Sequence, residues 1–200
     1  MTPSSPFEPT DEALVAHVLE GDIQAFDQLL LKYKEKLYGV IYNMTSNHED
    51  TNDLLMEVFD KAFRSLASFK GESSFYTWLY RIAMNRAINH LHKNKKNRNN
   101  LSLNEIDEDE GHARELFDSS AIANPSQQVD LKELQKKLNE SLQKLSEEHR
   151  AVVVLFDIEG LSHADISRVL NCSEGTVRSR LHYAHKQLQK LLEPFLRKSR

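Results

Sequence analysis

From Leu161 to Lys186 the chain reads LSHADISRVLNCSEGTVRSRLHYAHK, two helical patterns separated by a tight turn. Ser162 can cap the first helix, and Asp165 three residues on completes a capping-box pattern. Ala164, Ile166, Val169 and Leu170 give that helix a buried side. Asn171 and Cys172 fall where the turn must be, and Ser173 can cap the second helix. That helix presents Thr176, Arg178, Ser179, Arg180, His182 and Lys186 along a basic side. This is the pattern of a helix-turn-helix, in which the second helix enters the DNA major groove. Arginine there can pair bidentately with guanine, and each good contact discriminates by about 1–3 kcal/mol. Ser173, Thr176, Arg178, Ser179, Arg180 and His182 are the candidates to reach base edges. Two or three such contacts cannot select a genomic site alone, so a second recognition element is expected.

The charge balance sharpens this. Thirty acids against 26 Lys and Arg give a net charge of −4, whereas proteins that bind DNA unaided usually carry net positive charge. A chain basic only locally fits one that works with a larger DNA-binding partner. The single cysteine, Cys172, excludes an internal disulfide and fits a reducing, cytoplasmic setting. No apolar run approaches the roughly 20 residues of a membrane span, and the first residues lack the pattern of a signal peptide.

The rest of the chain reads as all-α, in two small helical domains. Residues 11 to 95 form one block. A first helix with Leu14, Val15, Val18 and Leu19 stops at Gly21, and Asp22 caps a second with Phe26, Leu29, Leu30, Tyr33, Leu37 and Ile41 at helical spacing. A third, from about Glu49 to Leu66, buries Leu54, Leu55, Val58, Phe59, Ala62 and Phe63. After a loop from Ser68 to Ser74, a fourth runs to about Leu91 with Trp78, Leu79, Ile82, Ala83 and Ala87 inward. Periodicity then fails. A basic run with Lys93, Lys95, Lys96 and Arg98 gives way to the acidic Glu105, Asp107, Glu108, Asp109 and Glu110, so 98–126 reads as a flexible acidic linker. The boundaries expected are 1–97, 98–126 and 127–200. In the last block Leu131, Leu134, Leu138, Leu142 and Leu145 mark one helix. Ser146 caps another that stops at Gly160, and the final helix reaches Pro194.

Two further clusters carry chemistry. Phe69, Phe75, Tyr76, Trp78 and Tyr80 lie among Lys70, Arg81, Asn85 and Arg86. Rings can take the faces of unstacked bases at about 1–3 kcal/mol each while cations follow the backbone; the competing reading makes the rings core. On the third helix Asp50, Asp53, Glu57, Asp60 and Arg64 share a polar side, which is either a solvated face or a docking surface. His90 and His92, beside the basic run, are expected to meet phosphate or water. His182, His185 and Cys172 do not have the four-ligand spacing of a structural zinc site, and no metal or cofactor is expected.

With those residues in view, DTNDLLMEVFDKAFRSLASFKGESSFYTWLYRIAMNRAINHLH (50–92) resembles region 2 of the extracytoplasmic-function (ECF) sigma factors, and residues 146–187 resemble their region 4. The resemblance implies a transcription initiation factor without enzymatic activity. It would bind RNA polymerase core through the β′ clamp and β subunits, direct it to promoter DNA, and help melt the −10 region. Asp50, Asp53, Leu54, Glu57 and Arg64 would dock on the β′ coiled coil. The loop from Phe69 to Thr77, with Lys70, Ser73, Phe75 and Tyr76, would receive a flipped base. Arg81, Asn85, Arg86 and Asn89 would contact the −10 DNA, and Ser173, Thr176, Arg178, Ser179, Arg180, His182, Tyr183 and Lys186 the −35 duplex. The linker would thread into the polymerase. One departure stands out: the usual DLxQExF is DLLMEVF here, so Met56 replaces a Gln and brings no amide. No segment is left for a sensor domain, so control is expected from outside, by an anti-sigma factor. The alternatives are an autonomous helix-turn-helix regulator, which predicts tight promoter binding without polymerase, and a sigma mimic that titrates an inhibitor.

Overall fold

The computed structural model describes residues 9–101 and 125–198, and every regular element among them is helical. Helices α1 (Asp11–Leu19), α2 (Ile23–Thr45), α3 (His48–Ser65) and α4 (Phe75–Leu101) form the first domain, with a 3₁₀ turn, Leu66–Ser68, after α3. Helices α5 (Pro125–Gln143), α6 (Glu147–Val153, running on as a π-helical turn over Val154–Ile158), α7 (His163–Leu170) and α8 (Glu174–Lys198) form the second.

The helix starts follow the capping chemistry of the sequence. Asp22 accepts from the Gln24 amide at 2.9 Å, Ser146 from His149 at 3.3 Å and Ser173 from Thr176 at 3.1 Å. Asn47 caps α3 by accepting from the amides of both Glu49 and Asp50. Each such cap satisfies a donor that the first helical turn leaves unpaired. At α7, Ser162 accepts from the Asp165 amide at 3.1 Å, but the return bond differs from a capping box. The Ser162 hydroxyl donates to Asp165 Oδ2 at 2.6 Å instead of the carboxylate reaching back to the backbone. Gly21 and Gly160 end their helices with φ of 102° and 70°, where a side chain would be strained.

Several expected boundaries and burials shift. Helix α4 runs ten residues past Leu91, through the basic run and to Leu101, so part of the expected linker is helical; α5 likewise begins at Pro125. Helix α8 continues through Pro194. Residues 102–124, including the acidic run, lie outside the described residues. Phe63, expected inside, is 45% exposed with one edge against Phe26, their ring centroids 5.0 Å apart.

The two domains share one continuous apolar core. α4 packs against α7 and α6, and the C-terminal end of α2 meets α5 and α6. Arg150 organises the second contact. Only 5% exposed, its guanidinium donates to the carbonyls of Leu142, Gln143 and Leu145 at the end of α5, to Gln143 Oε1, and to the carbonyl of Met44 at the end of α2. Two helix C-termini, each with unpaired carbonyls and negative dipole ends, thus converge on one buried cation. Gln143 donates to the Asn43 carbonyl at 3.2 Å and Asn139 to Ser46 Oγ at 2.9 Å beside it. At the first contact, the fully buried Tyr80 of α4 donates its hydroxyl to Glu159, just past the π turn, at 2.7 Å.

Candidate nucleic-acid and partner interfaces

The helix-turn-helix is built as the sequence anticipates. Asn171 takes the left-handed conformation at φ 50°, the Cys172 amide donates to the Ser167 carbonyl at 3.0 Å, and Ser173 starts α8. Ile166 and Val169 of α7 and Val177, Leu181 and Ala184 of α8 are buried in the core. That burial fixes which side of α8 faces outward: Arg178, Ser179, His182, Tyr183 and Lys186 are exposed, Tyr183 at 60%, while Thr176 and Arg180 are half-buried. Ser173 and Thr176 share a hydroxyl contact of 2.9 Å, and Ser179 donates to the Thr176 carbonyl. Arg178 pairs with Glu174 at 2.9 Å. Both are exposed, so that pair is worth well under about 1 kcal/mol and yields readily to a nucleic-acid acceptor. Glu148 lies near Arg180: its carboxyl is held below the ordinary value first by its own backbone amide, then by the Ser146 hydroxyl and by Arg180 and His92.

The aromatic loop is organised differently. Phe75 is 2% exposed, and its ring lies 5.7 Å from Phe69, 5.6 Å from Trp78 and 5.8 Å from Tyr33. Tyr76, half-buried, sits 4.2 Å from the Tyr80 ring and 6.0 Å from Tyr33. Burial raises the phenol pKa of both Tyr76 and Tyr80 above the ordinary value of 10.0. Trp78 faces inward, as expected. The ring of Phe75 is therefore core and has no free face for a base. What the loop leaves outside is polar: Lys70 and Glu72 are exposed and Ser73 half-exposed, around Gly71 at φ 71°. Ser74 starts α4 by accepting from the Thr77 amide at 3.1 Å.

Along α4, Arg81, Asn85 and Asn89 are exposed, and none has a partner among the described residues. Arg86 is turned away from them, onto Glu57 of α3 at 3.3 Å. The two histidines also depart from expectation and meet carboxylates: His90 lies 3.2 Å from Asp50, and His92 lies 4.0 Å from Glu148.

On α3, Asp53, Met56, Glu57 and Asp60 are exposed at helical spacing, Met56 at 73%. Leu54, expected on this surface, is only 3% exposed and belongs to the core. Asp50 is half-buried against His90, and Arg64 pairs with Asp60 at 2.8 Å. The outcome is an acidic face with an exposed methionine at its centre. Met56 packs adaptably where an amide would need a fixed partner.

Arg150, Lys93 and Lys96 are residues whose place the sequence pattern does not reveal. Arg150 is a buried cation whose acceptors are backbone carbonyls from both domains, and no side-chain motif signals that. The two lysines do carry a signal, their spacing from Asn89, but the lost apolar periodicity puts them at the edge of a linker instead of on a helix.

Residues 29–97 match sigma-70 region 2, and residues 135–188 match sigma-70 region 4. The chain is 38% identical over 193 residues to the RNA polymerase sigma-H factor of Pseudomonas aeruginosa, covering 94% of this chain and 97% of that protein. It is 36% identical over 188 residues to the ECF RNA polymerase sigma-E factor of Haemophilus influenzae and 33% identical over 193 residues to that of Escherichia coli, with the same coverage of each. The sigma factor RpoE of Bartonella quintana, solved with the anti-sigma factor NepR, shares the fold at a TM-score of 0.68 and 23% identity, over 86% of this chain and 98% of that one. CnrH, solved with the cytosolic domain of CnrY, does so at 0.64 and 22%, over 93% and 99%. With both regions present in order and relatives alike across nearly the whole length, the chain belongs to the ECF group of RNA polymerase sigma factors.

Proposed function

We propose that this chain is a promoter-specificity factor that binds RNA polymerase core and brings it to promoters with two separated elements. The observation that carries the reading is the presence, on one chain, of a fully formed helix-turn-helix with an outward polar and basic side and a second polar face on α4 that has no partner among the described residues. Neither face suffices alone, and the net charge of −4 leaves most non-specific DNA attraction to a partner. Arg178, Ser179, Arg180, His182, Tyr183 and Lys186 read the upstream duplex. Arg81, Asn85 and Asn89, with Lys70 and Ser73 of the loop, contact the downstream element, where one base is drawn out as the region opens. The acidic face around Met56 docks on a basic surface of the β′ clamp, with Asp53, Glu57 and Asp60 around an apolar centre. The chain acts by placement and has no catalytic role of its own. Control comes through a protein inhibitor, a reading supported by the fold it shares with the Bartonella quintana sigma factor RpoE, solved with the anti-sigma factor NepR.

The test is transcription by purified core polymerase on a genomic fragment library, with and without the chain. New start sites sharing two upstream motifs are expected. Binding to core without new starts would favour a sigma mimic, and DNA footprints by the chain alone would favour an autonomous regulator.

A further inference from the structure

One side chain of α4 stands between the two partner faces of the first domain. Arg86 follows Asn85, so it leaves the helix about 100° round from its exposed neighbour. Its guanidinium crosses to α3 and donates from one nitrogen to Glu57 Oε2 at 3.3 Å. Glu57 in turn follows the exposed Met56, with Asp53 and Asp60 about one turn to either side on the acidic face. The same carboxylate therefore belongs to the docking face and holds a cation from the edge of the DNA-facing helix.

The contact is suited to exchange. It is a single bond near the long end of the hydrogen-bond range, not the two-bond fork that an arginine makes with a fixed carboxylate. Both side chains are open to solvent, 44% for Arg86 and 54% for Glu57. The neighbouring pair from the same two helices, His90 on Asp50 at 3.2 Å, is only 25% and 33% exposed. An ion pair as open as Arg86–Glu57 resists a second, incoming charge only weakly. Val58 and Ala62 of α3 and Ala83 and Ala87 of α4 are fully buried, so the two helices stay anchored in the core when that pair parts. The flexible stem of Arg86 lets its guanidinium swing to the outer side of α4 without moving the backbone.

We propose that Glu57 is a shared carboxylate: in the free chain it holds Arg86, and on docking a basic side chain of the polymerase takes it over and releases Arg86 to the phosphates of the downstream element. This rests on the reading of the acidic α3 face as the docking surface and of α4 as the downstream-element helix. Two cations competing for one carboxylate make Arg86 oppose docking and make docking favour DNA. Binding linkage is reciprocal, so downstream DNA that draws Arg86 away tightens the chain on polymerase by the same factor. An exposed pair limits that factor to about two- to fivefold. A guanidinium on a phosphate carries no base information, so the release changes affinity and leaves the motif alone.

The experiment compares core binding and promoter binding by the same variants of the full chain. Arg86→Ala is expected to bind core polymerase about two- to fivefold more tightly than wild type, read by anisotropy of the labelled chain. The holoenzyme it forms should nevertheless bind promoter more weakly. Its slope of log K against log[salt] should be smaller by about 0.7–0.9, the share of one phosphate. Alanine suits a helix, so the variant keeps its fold. Arg86→Lys keeps the charge and should restore both values toward wild type. In a Glu57→Gln background, removing Arg86 should no longer change core affinity. Weaker core binding by Arg86→Ala would make Arg86 a brace for Glu57 or a polymerase contact, and overturns the inference. A tightening that persists without Glu57 would be a general effect of charge and overturns it too, as does an unchanged salt slope. Glu57→Gln that binds core as wild type does overturns the docking reading and this inference together.

Discussion

The recognition helix α8 and the aromatic loop before α4 are both read from the sequence as nucleic-acid surfaces, yet the fold treats them in opposite ways. On α8 the reading residues point outward and the apolar ones inward, so the surface exists before DNA arrives. Where the loop enters α4, the most conspicuous residues, Phe75 and Trp78, are spent on the core. The proposed function gives the two surfaces different tasks. A duplex offers its groove edges without deformation, so a rigid preformed helix suffices. An extracted base costs a few kcal/mol, and the rings beneath the loop hold its backbone in one shape so that this cost is not compounded by ordering the protein. On the proposed function, the aromatic residues of the loop are the support and the polar ones the contact.

The sharpest way to break this comparison is to truncate Phe75. Phe75→Ala should destabilise the protein by about 3–5 kcal/mol in denaturant unfolding, as for a large ring removed from a core. Lys70→Ala and Ser73→Ala should change stability by no more than about 0.5 kcal/mol while altering the downstream promoter preference. If Phe75→Ala folds with normal stability and loses only promoter opening, the ring is a base platform after all.

Arg150→Ala comes next, at about 3 kcal/mol, because it strands buried carbonyls of both domains. Thermal unfolding checks it, and a loss below about 1 kcal/mol would mean that water replaces the guanidinium. Arg180→Ala and Lys186→Ala should leave unfolding unchanged and cost about 1–3 kcal/mol of discrimination at the upstream element, measured by competition between promoters in the holoenzyme.

The smallest effect is one of pH. Burial, reinforced by Glu159, pushes the Tyr80 phenol far above its ordinary value of 10.0. The folded state therefore keeps a proton that the unfolded chain releases. Stability from this group is complete below about pH 10 and falls as the pH rises beyond it. Tyr80→Phe should flatten part of that fall in melting curves between about pH 10 and 11. An unchanged fall would assign it to the other buried phenols, of which Tyr33 is also raised, first by burial and then by Asp11.

Features decided within a few residues were legible in the sequence. The caps at Asp22, Ser146, Ser162 and Ser173 and the turn at Asn171 depend on neighbours one to three positions away, and they stand where the pattern puts them. Features decided by a facing helix were not. Leu54 and Phe63 are both expected inside from the apolar stripe of α3; Leu54 is buried, whereas Phe63 is half out, and only the placement of the facing α2, with Phe26, decides that. The basic run after Leu91 has no apolar periodicity of its own, yet it continues α4, with its Lys95 and His92 beside the acids that open α6. Arg150 is the extreme case, with an acceptor 106 residues away.

At the centre of the proposal, two faces of one chain read two promoter elements through one polymerase. The direct measurement is holoenzyme transcription from a promoter library randomised at both elements, comparing wild type, Lys70→Ala/Ser73→Ala and Arg180→Ala/Lys186→Ala. The first variant should change only the downstream motif and the second only the upstream one, both still dependent on core polymerase. Variants that shift the same motif, or starts that arise without the chain bound to core, would show that the two faces do not read separate elements.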